Sequence, residues 1–291
     1  MKKSMLILLA LLPTILLTAQ NPIVIKPSET RHGPEQGSLV IIGGAVGQTD
    51  DIWERFIELA GGKDKARIVV VANASGDTTE NASAGLINTI RRRIGNDERV
   101  SLLNLRTIAE ANNPDSLVAL RAATGVFFDG GRQWRIADVY LNTLTHEEFW
   151  NVLRRGGVIA GSSAGASIQG SFLWRGDTSG YLVLVGDHTQ GLGFLRNSVI
   201  DQHLLARNRQ HDLVGFMRIA PQFIGIGLDE ATAVVVQRDS VEVIGNSYVA
   251  FYSAESENWI LLRKGQKYDL KEHKTVIPER RENTPPSEND N

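Results

Sequence analysis

The chain has 291 residues, 42% of them of hydrophobic type, which is enough apolar material for one sizeable core. Its 31 basic and 33 acidic residues leave a formal net charge of -2, a balance that argues against a polyanion binder and so against a nucleic-acid partner. The chain contains 0 cysteines, which excludes disulfides, thiolate metal sites and a cysteine nucleophile.

In chain order, Lys2 and Lys3 precede an apolar run from Met5 to Leu17, and Thr18-Ala19-Gln20 follows. This pattern predicts a secretory signal peptide over residues 1–19. The run is shorter than the roughly 20 residues a membrane-spanning helix needs, and Pro13 interrupts it. No stable membrane anchor is therefore expected, and the mature protein is expected to be exported, to the periplasm or the medium. Residues 20–37 carry Pro22, Pro27 and Pro34 without periodicity and read as a linker.

Residues 38–270 read as a single folded domain. Ser38–Ile42 is a continuous apolar run ending in Gly43-Gly44, the pattern of a buried strand and a tight turn. A helix with Ile52, Phe56, Ile57 and Leu59 on one face follows. The alternation then repeats: strand Arg67–Ala72, helix Ala84–Ile94, strand Val100–Leu105, helix Pro114–Ala122, strand Gly125–Phe128. A helix over Thr145–Arg154 is expected to open with a Thr145/Glu148 capping box, before strand Gly157–Ala160. Such alternation predicts an α/β fold, a mostly parallel sheet with helices on both faces and ligands beyond the carboxyl ends of the strands. After Glu230 the pattern changes to short strands at Ala233–Gln237, Ser240–Ile244 and Tyr248–Tyr252, with Gly245-Asn246 expected as a hairpin turn. Residues 271–291 are polar and Pro-containing and read as an unstructured tail.

Three strand ends carry candidate chemistry. Gly161-Ser162-Ser163-Ala164-Gly165 fits G-x-S-x-G between a strand and a helical stretch. Such a strained turn pushes a serine hydroxyl clear of the sheet, which makes Ser163, rather than Ser162, the candidate nucleophile. Phe128-Asp129-Gly130-Gly131 follows another strand. Backbone N–H groups of Gly130 or Gly131, with that of Ala164, are candidate oxyanion donors. Gln133 lies two residues on, where its amide can meet a substrate amide.

Serine needs a general base. Of six histidines, His203 has the suggestive context, following the apolar run Ser198-Val199-Ile200 in Asp201-Gln202-His203. The strand-like Ile224–Leu228 ends in Asp229-Glu230, either of which can orient an imidazole. Arg207 and Arg209 lie just beyond His203, and arginine captures carboxylates in bidentate fashion.

Together these segments resemble the cyanophycinase group of the S51 serine peptidase family, related to aspartyl dipeptidase (peptidase E). The resemblance runs from about Leu39 to Val236. It rests on GGAVG from Gly43, FFDGGRQ from Phe127, AGSSAGA from Ala160, DQHLLARNR from Asp201 and GIGLDEATA from Gly225. It implies a flavodoxin-like, three-layer α/β/α sandwich akin to class I glutamine amidotransferases, a homodimer, and neither metal nor cofactor. It also implies a Ser163, His203, Glu230 triad and substrate contacts from Gln133, Asp201, Gln202, Arg207 and Arg209. Cyanophycinases release β-aspartyl-arginine from cyanophycin, a polyaspartate with arginine on each side-chain carboxyl, so a peptide or cyanophycin substrate is expected. One departure stands out: the group carries a further arginine where this chain has Asp212, an acid expected to repel a substrate carboxylate. The alternatives are an α-aspartyl dipeptidase of the peptidase E type and an exported binding protein without turnover.

Overall fold

The computed structural model describes residues 32–254 and 259–277. The expected signal peptide, residues 20–31 of the expected linker and the tail beyond residue 277 lie outside the described residues. Residues 32–37 form an irregular arm tied to the body. The His32 N–H donates to Asp239 Oδ1 at 2.7 Å, and the Arg196 N–H donates to the His32 carbonyl at 2.7 Å.

The strands are β1 (Ser38–Ile42), β2 (Ile68–Val71), β3 (Val100–Leu103), β4 (Gly125–Phe128), β5 (Val158–Ser162), β6 (Gly170–Phe172) and β7 (Leu195–Gln202). They continue with β8 (Ile224–Leu228), β9 (Thr232–Gln237), β10 (Ser240–Gly245), β11 (Tyr248–Tyr252), β12 (Ile260–Arg263), β13 (Lys267–Asp269) and β14 (Lys274–Val276). A nine-stranded sheet has the order β14-β13-β10-β9-β1-β5-β4-β2-β3. Its β1, β5, β4, β2 and β3 run parallel to one another, while β9, antiparallel to β1, and β10, β13 and β14 extend it antiparallel. A second sheet of five strands, β12-β11-β8-β7-β6, stands beside it.

The parallel strands β1, β2, β4 and β5 are buried throughout, because helices cover both faces of the larger sheet, while β3 at its edge is partly exposed. Side chains of β1 alternate, Leu39 and Ile41 entering one core and Val40 and Ile42 the other. Helices α1 (Asp50–Leu59) and α2 (Ala84–Ile94) press Ile52, Trp53, Phe56, Ile87 and Ile90 onto the second face. On the opposite side lie α3 (Ile108–Ala111), α4 (Val118–Ala122), α5 (Gln133–Tyr140) and α6 (Leu144–Arg154). Their Ile136, Tyr140, Phe149 and Val152 share a core with Ile200, Ile226 and Leu228 of the second sheet. The short α7 (Ala164–Ser167) follows β5, and α8 (Asp212–Ile219) covers the far face of the second sheet through Leu213, Phe216 and Met217. Three α/β/α layers surround the larger sheet, as expected, and the smaller sheet is an addition to them.

Four local expectations are corrected. Gly245-Asn246 does not turn a hairpin: β10 pairs with β9 and β11 with β8, so the chain crosses there between sheets. The Asn246 N–H donates to the Ala231 carbonyl at 2.8 Å, beside the point where β8 hands over to β9. Helix α6 begins at Leu144, one residue early, and Thr143 caps it by accepting the His146 N–H at 3.2 Å. The Thr145 hydroxyl instead donates to the Ala111 carbonyl, and Glu148 pairs with Arg155 at 2.9 Å. A capping box stands instead at the start of α3, between Thr107 and Glu110. Residues 271–277, assigned by composition to the tail, include β14, whose backbone pairing with β13 outweighs their polarity.

Phe127 anchors one face, stacked on Trp53 with ring centroids 5.3 Å apart and edge-on to Phe56 at 5.5 Å. Phe127→Ala is expected to cost about 3–5 kcal/mol. Urea unfolding followed by circular dichroism should show a lower midpoint at unchanged slope; an unaltered midpoint would remove this stack from the core.

Candidate active site

The two sheets meet where their strand ends carry the predicted chemistry. Strand β5 ends at Ser162, in register with Ile42 of β1. The next residue, Ser163, has φ 56° and ψ -111°, a conformation an L-residue adopts only under constraint. The constraint is visible: the Ser163 N–H donates to the Ile42 carbonyl at 3.0 Å, and its carbonyl accepts from Ala166 and Ser167 as α7 starts. The turn lifts the half-buried side chain out of the sheet. Ser162 keeps strand geometry and is buried.

His203 and Glu230 come from the second sheet. His203 directly follows β7, at φ 54°, and Glu230 lies between β8 and β9, on the link back to the larger sheet. Ser163 Oγ is 2.8 Å from His203 Nε2, and His203 Nδ1 is 2.6 Å from Glu230 Oε1. Asp229, the other acid, turns away. It accepts the Leu205 and Ala206 N–H groups, each at 3.0 Å, and the Ser247 hydroxyl at 2.6 Å. Burial pushes the His203 imidazole below its ordinary value; the Glu230 hydrogen bond opposes this, and the positive charge of Arg207 adds to it. The ring is therefore largely neutral at neutral pH and able to accept a proton.

The GGAVG segment, to which sequence reasoning gave no task, seats the imidazole. Gly44 has φ +141°, and a Cβ there would collide with His203 Cε1 and Nδ1. The His203 N–H donates to the Gly43 carbonyl at 3.0 Å, and the Ala231 N–H donates to the Gly44 carbonyl at 2.8 Å. One turn thus fixes both the base and the segment bearing its acid.

Gly130 and Gly131 follow β4, next to Ser163. A Cβ on Gly130 would come within 3.6 Å of the Ser163 Cβ. The Gly130 N–H, however, already donates to Asp129 Oδ1 at 2.7 Å. Among the described residues, the N–H groups of Gly131 and Ala164 have no hydrogen-bond partner, so they are the available oxyanion donors of the three named from sequence. Gly131 has φ +139°, and a Cβ would strike the Ala74 carbonyl.

The predicted binding residues divide. Asp201 is fully buried. It accepts from Arg175 Nε at 2.9 Å, Arg175 Nη2 at 2.9 Å, Trp174 Nε1 at 3.2 Å and the Gln202 N–H at 2.9 Å. Gln202 is buried and holds Arg209, whose Nη1 donates to its Oε1 at 2.9 Å and its carbonyl at 2.8 Å. Burial lowers the Arg209 pKa to about 10, which leaves it charged at neutral pH. Gln133 is buried at the start of α5, donating to the Trp174 and Arg175 carbonyls at 2.7 and 3.0 Å. These residues build the wall of the site, and only Arg207 among them is exposed. Arg175, missed in the sequence, is the hub: its Nη2 also donates to Asp212 Oδ2. The acid expected to repel a substrate carboxylate is instead neutralised within the protein. A lone Trp-Arg pair in a loop offers no periodicity by which to find this role.

The model of peptidase family S51 matches residues 39–244. The cyanophycinase of Geminocystis herdmanii (strain PCC 6308) is 30% identical over 231 residues, 77% of this chain and 83% of that protein. The cyanophycinase of Trichormus variabilis (strain ATCC 29413 / PCC 7937) is 31% identical over 218 residues, 73% of this chain and 72% of that protein. A crystal structure of a peptidase from an acI-B1 Actinobacterium superposes with a TM-score of 0.65 at 23% identity, over 82% of this chain and 98% of that one, a likeness of fold. The match takes in the strand ends that carry Ser163, His203 and Glu230, and the chain belongs to peptidase family S51, a serine-type peptidase.

Proposed function

We propose that the chain is an exported serine exopeptidase of β-aspartyl substrates that works through an acyl-enzyme, cutting the polyaspartate backbone of cyanophycin so that β-aspartyl-arginine leaves with its linkage intact, or cutting the β-aspartyl bond itself in smaller isoaspartyl peptides. The observation that carries the mechanism is the unbroken line from Ser163 Oγ to His203 Nε2 at 2.8 Å and from His203 Nδ1 to Glu230 at 2.6 Å. In the reactive tautomer the Nδ1–H donates to Glu230, which leaves Nε2 free to accept. His203 takes the Ser163 proton as the oxygen attacks the carbonyl carbon. The developing oxyanion accepts from the Gly131 and Ala164 N–H groups. His203 then returns the proton to the leaving nitrogen, and the C–N bond breaks. Water, deprotonated by the same ring, resolves the ester and restores Ser163.

The β-aspartyl substrate class rests on the matched cyanophycinases together with the positive cluster at Arg207 and Arg209, which suits a free carboxylate. Export rests on Lys2-Lys3 and the apolar run to Leu17. Homodimerisation rests on the family resemblance alone.

Turnover of β-Asp-Arg and cyanophycin should fall roughly 10⁴-fold or more in Ser163→Ala, with its melting temperature unchanged. Equal rates in the two proteins would end the mechanism. Because neutral His203 is the active form and its pKa is held below 6.5, kcat/KM should rise with pH along an acid limb centred below that value. A limb centred above neutrality would contradict the burial of the ring.

A further inference from the structure

Between β6 and β7 the chain makes an excursion from Leu173 to Thr189 that is tied to residues on both sides of the triad. Its neck is closed by the Leu173 N–H on the Thr189 carbonyl at 2.8 Å and the His188 N–H on the Gly176 carbonyl at 3.0 Å. Asp177 and Asp187 shape the turn within it, accepting the Ser179 and Thr178 N–H groups at 2.8 and 3.1 Å. On the side of the oxyanion donors, Arg132, next to Gly131, donates to the Asp177 carbonyl, and Gln133 holds the Trp174 and Arg175 carbonyls. On the side of the base, the Tyr181 carbonyl accepts from Arg175 Nη1 at 3.1 Å. The Tyr181 ring centroid lies 5.5 Å from Arg207 Cζ and 5.8 Å from Arg209 Cζ.

His188 joins this excursion to α5. Its Nε2 lies 2.7 Å from Asp138 Oδ1 on α5, and its Nδ1 lies 2.8 Å from Asp187 Oδ1. A neutral imidazole carries one N–H and can donate to one of these acids, which leaves its bare nitrogen against the other; the imidazolium carries two and satisfies both. Asp138 faces the ring from α5 and Asp187 from its own segment, and Asp177 stands behind Asp187, whose N–H it accepts at 3.3 Å. The nearby cations, Arg132 and Arg135, donate to the Asp177 and Ala74 carbonyls. Arg135 Cζ lies 5.2 Å from the centroid of the Trp134 ring, which stands 5.9 Å from the imidazole. Burial pulls the His188 pKa down, but the hydrogen bonds and charges of Asp187 and Asp138 outweigh it and hold the ring above its ordinary value of 6.5. Asp187, held at about 2 by Thr178 first and then by His188, stays ionised. The contact is therefore complete below the ordinary imidazole value and is lost as pH rises through the raised one.

We propose that His188 is a positioning residue and a pH-sensitive clasp: as the imidazolium it pins the β6–β7 excursion to α5 and so holds Tyr181 against Arg207 and Arg209, and on losing its proton it lets that wall loosen. The consequence for catalysis rests on the β-aspartyl reading above, in which those arginines suit the substrate's carboxylate. The His188 and Asp138 side chains are 24% and 48% exposed, so the effect is that of a partly exposed ion pair, about two- to fivefold.

The test takes the full chain from about pH 6 to about pH 8.5, a range that spans imidazole titration and over which Arg209, at about 10, keeps its charge. Amide exchange of residues 177–187, corrected for the intrinsic rate at each pH, should become about two- to fivefold faster across that rise. KM for cyanophycin or a β-aspartyl dipeptide should rise by a similar factor, with kcat unchanged above the His203 limb. His188→Gln should show the fast exchange and the higher KM at both ends of the range. His188→Lys, a permanent cation, should keep exchange slow throughout. Comparing the proteins on one substrate cancels the titration of the substrate's own amine. Exchange that ignores pH, or that accelerates equally in His188→Gln, would overturn the clasp. Exchange that follows pH while KM stays equal in the natural and His188→Gln proteins would overturn the positioning role. Failure to cleave any β-linked substrate would sink the β-aspartyl reading instead, and the exchange measurement would then decide the clasp by itself.

Discussion

The site depends on one close contact between the two sheets, the packing of the His203 ring against Gly44. Ser163 belongs to the larger sheet, while His203 and Glu230 follow strands of the smaller one. No regular ladder joins β1 to β7, so alignment of the three groups is left to the turn after β1. That turn accepts the His203 N–H through Gly43 and the Ala231 N–H through Gly44, and leaves no room for a Cβ under the imidazole. A displacement of about 1 Å between the sheets would break the short path from hydroxyl to acid, and geometry on that scale governs rate.

The polar wall beside the triad obeys a second constraint. Arg175 and Asp201 are both buried, and buried charges persist only when paired and fully hydrogen-bonded. Asp201 meets that requirement with donors from Trp174, Arg175 and Gln202. Arg209 is fixed by Gln202, which sits next to His203 in sequence. The same residues that support β7 therefore set the charge beside His203. Asp212 changes meaning in this setting, from a repulsive acid to the second partner of Arg175.

Much of the site was legible because its chemistry sits at strand ends and leaves local marks. G-x-S-x-G singled out Ser163 over Ser162, and the glycines flank it because a Cβ on Gly161 would strike the Gly165 carbonyl and one on Gly165 the Phe128 carbonyl. His203 stood out by following an apolar run. The acid did not: residue types left Asp229 and Glu230 equal, and only the direction of each side chain separates them. The division into two sheets was also hidden, since strands bound for either sheet share one composition, and Gly245-Asn246 looks alike whether it reverses a hairpin or crosses between sheets. The Arg175–Asp201 pair spans 26 residues with no period linking them. Long-range pairings of that kind are fixed by tertiary packing and leave no mark in a local window.

The central claim is that the hydroxyl, the imidazole and the acid form one working unit. Its most direct test is reaction of the full chain with a fluorophosphonate, followed by mass-spectrometric mapping of the adduct, in parallel with His203→Gln. The account predicts a single adduct on Ser163 in the natural sequence and at least a roughly hundredfold slower reaction in His203→Gln, the lower end of the range for loss of a general base. An adduct on Ser162, or equal rates in the two proteins, would contradict it.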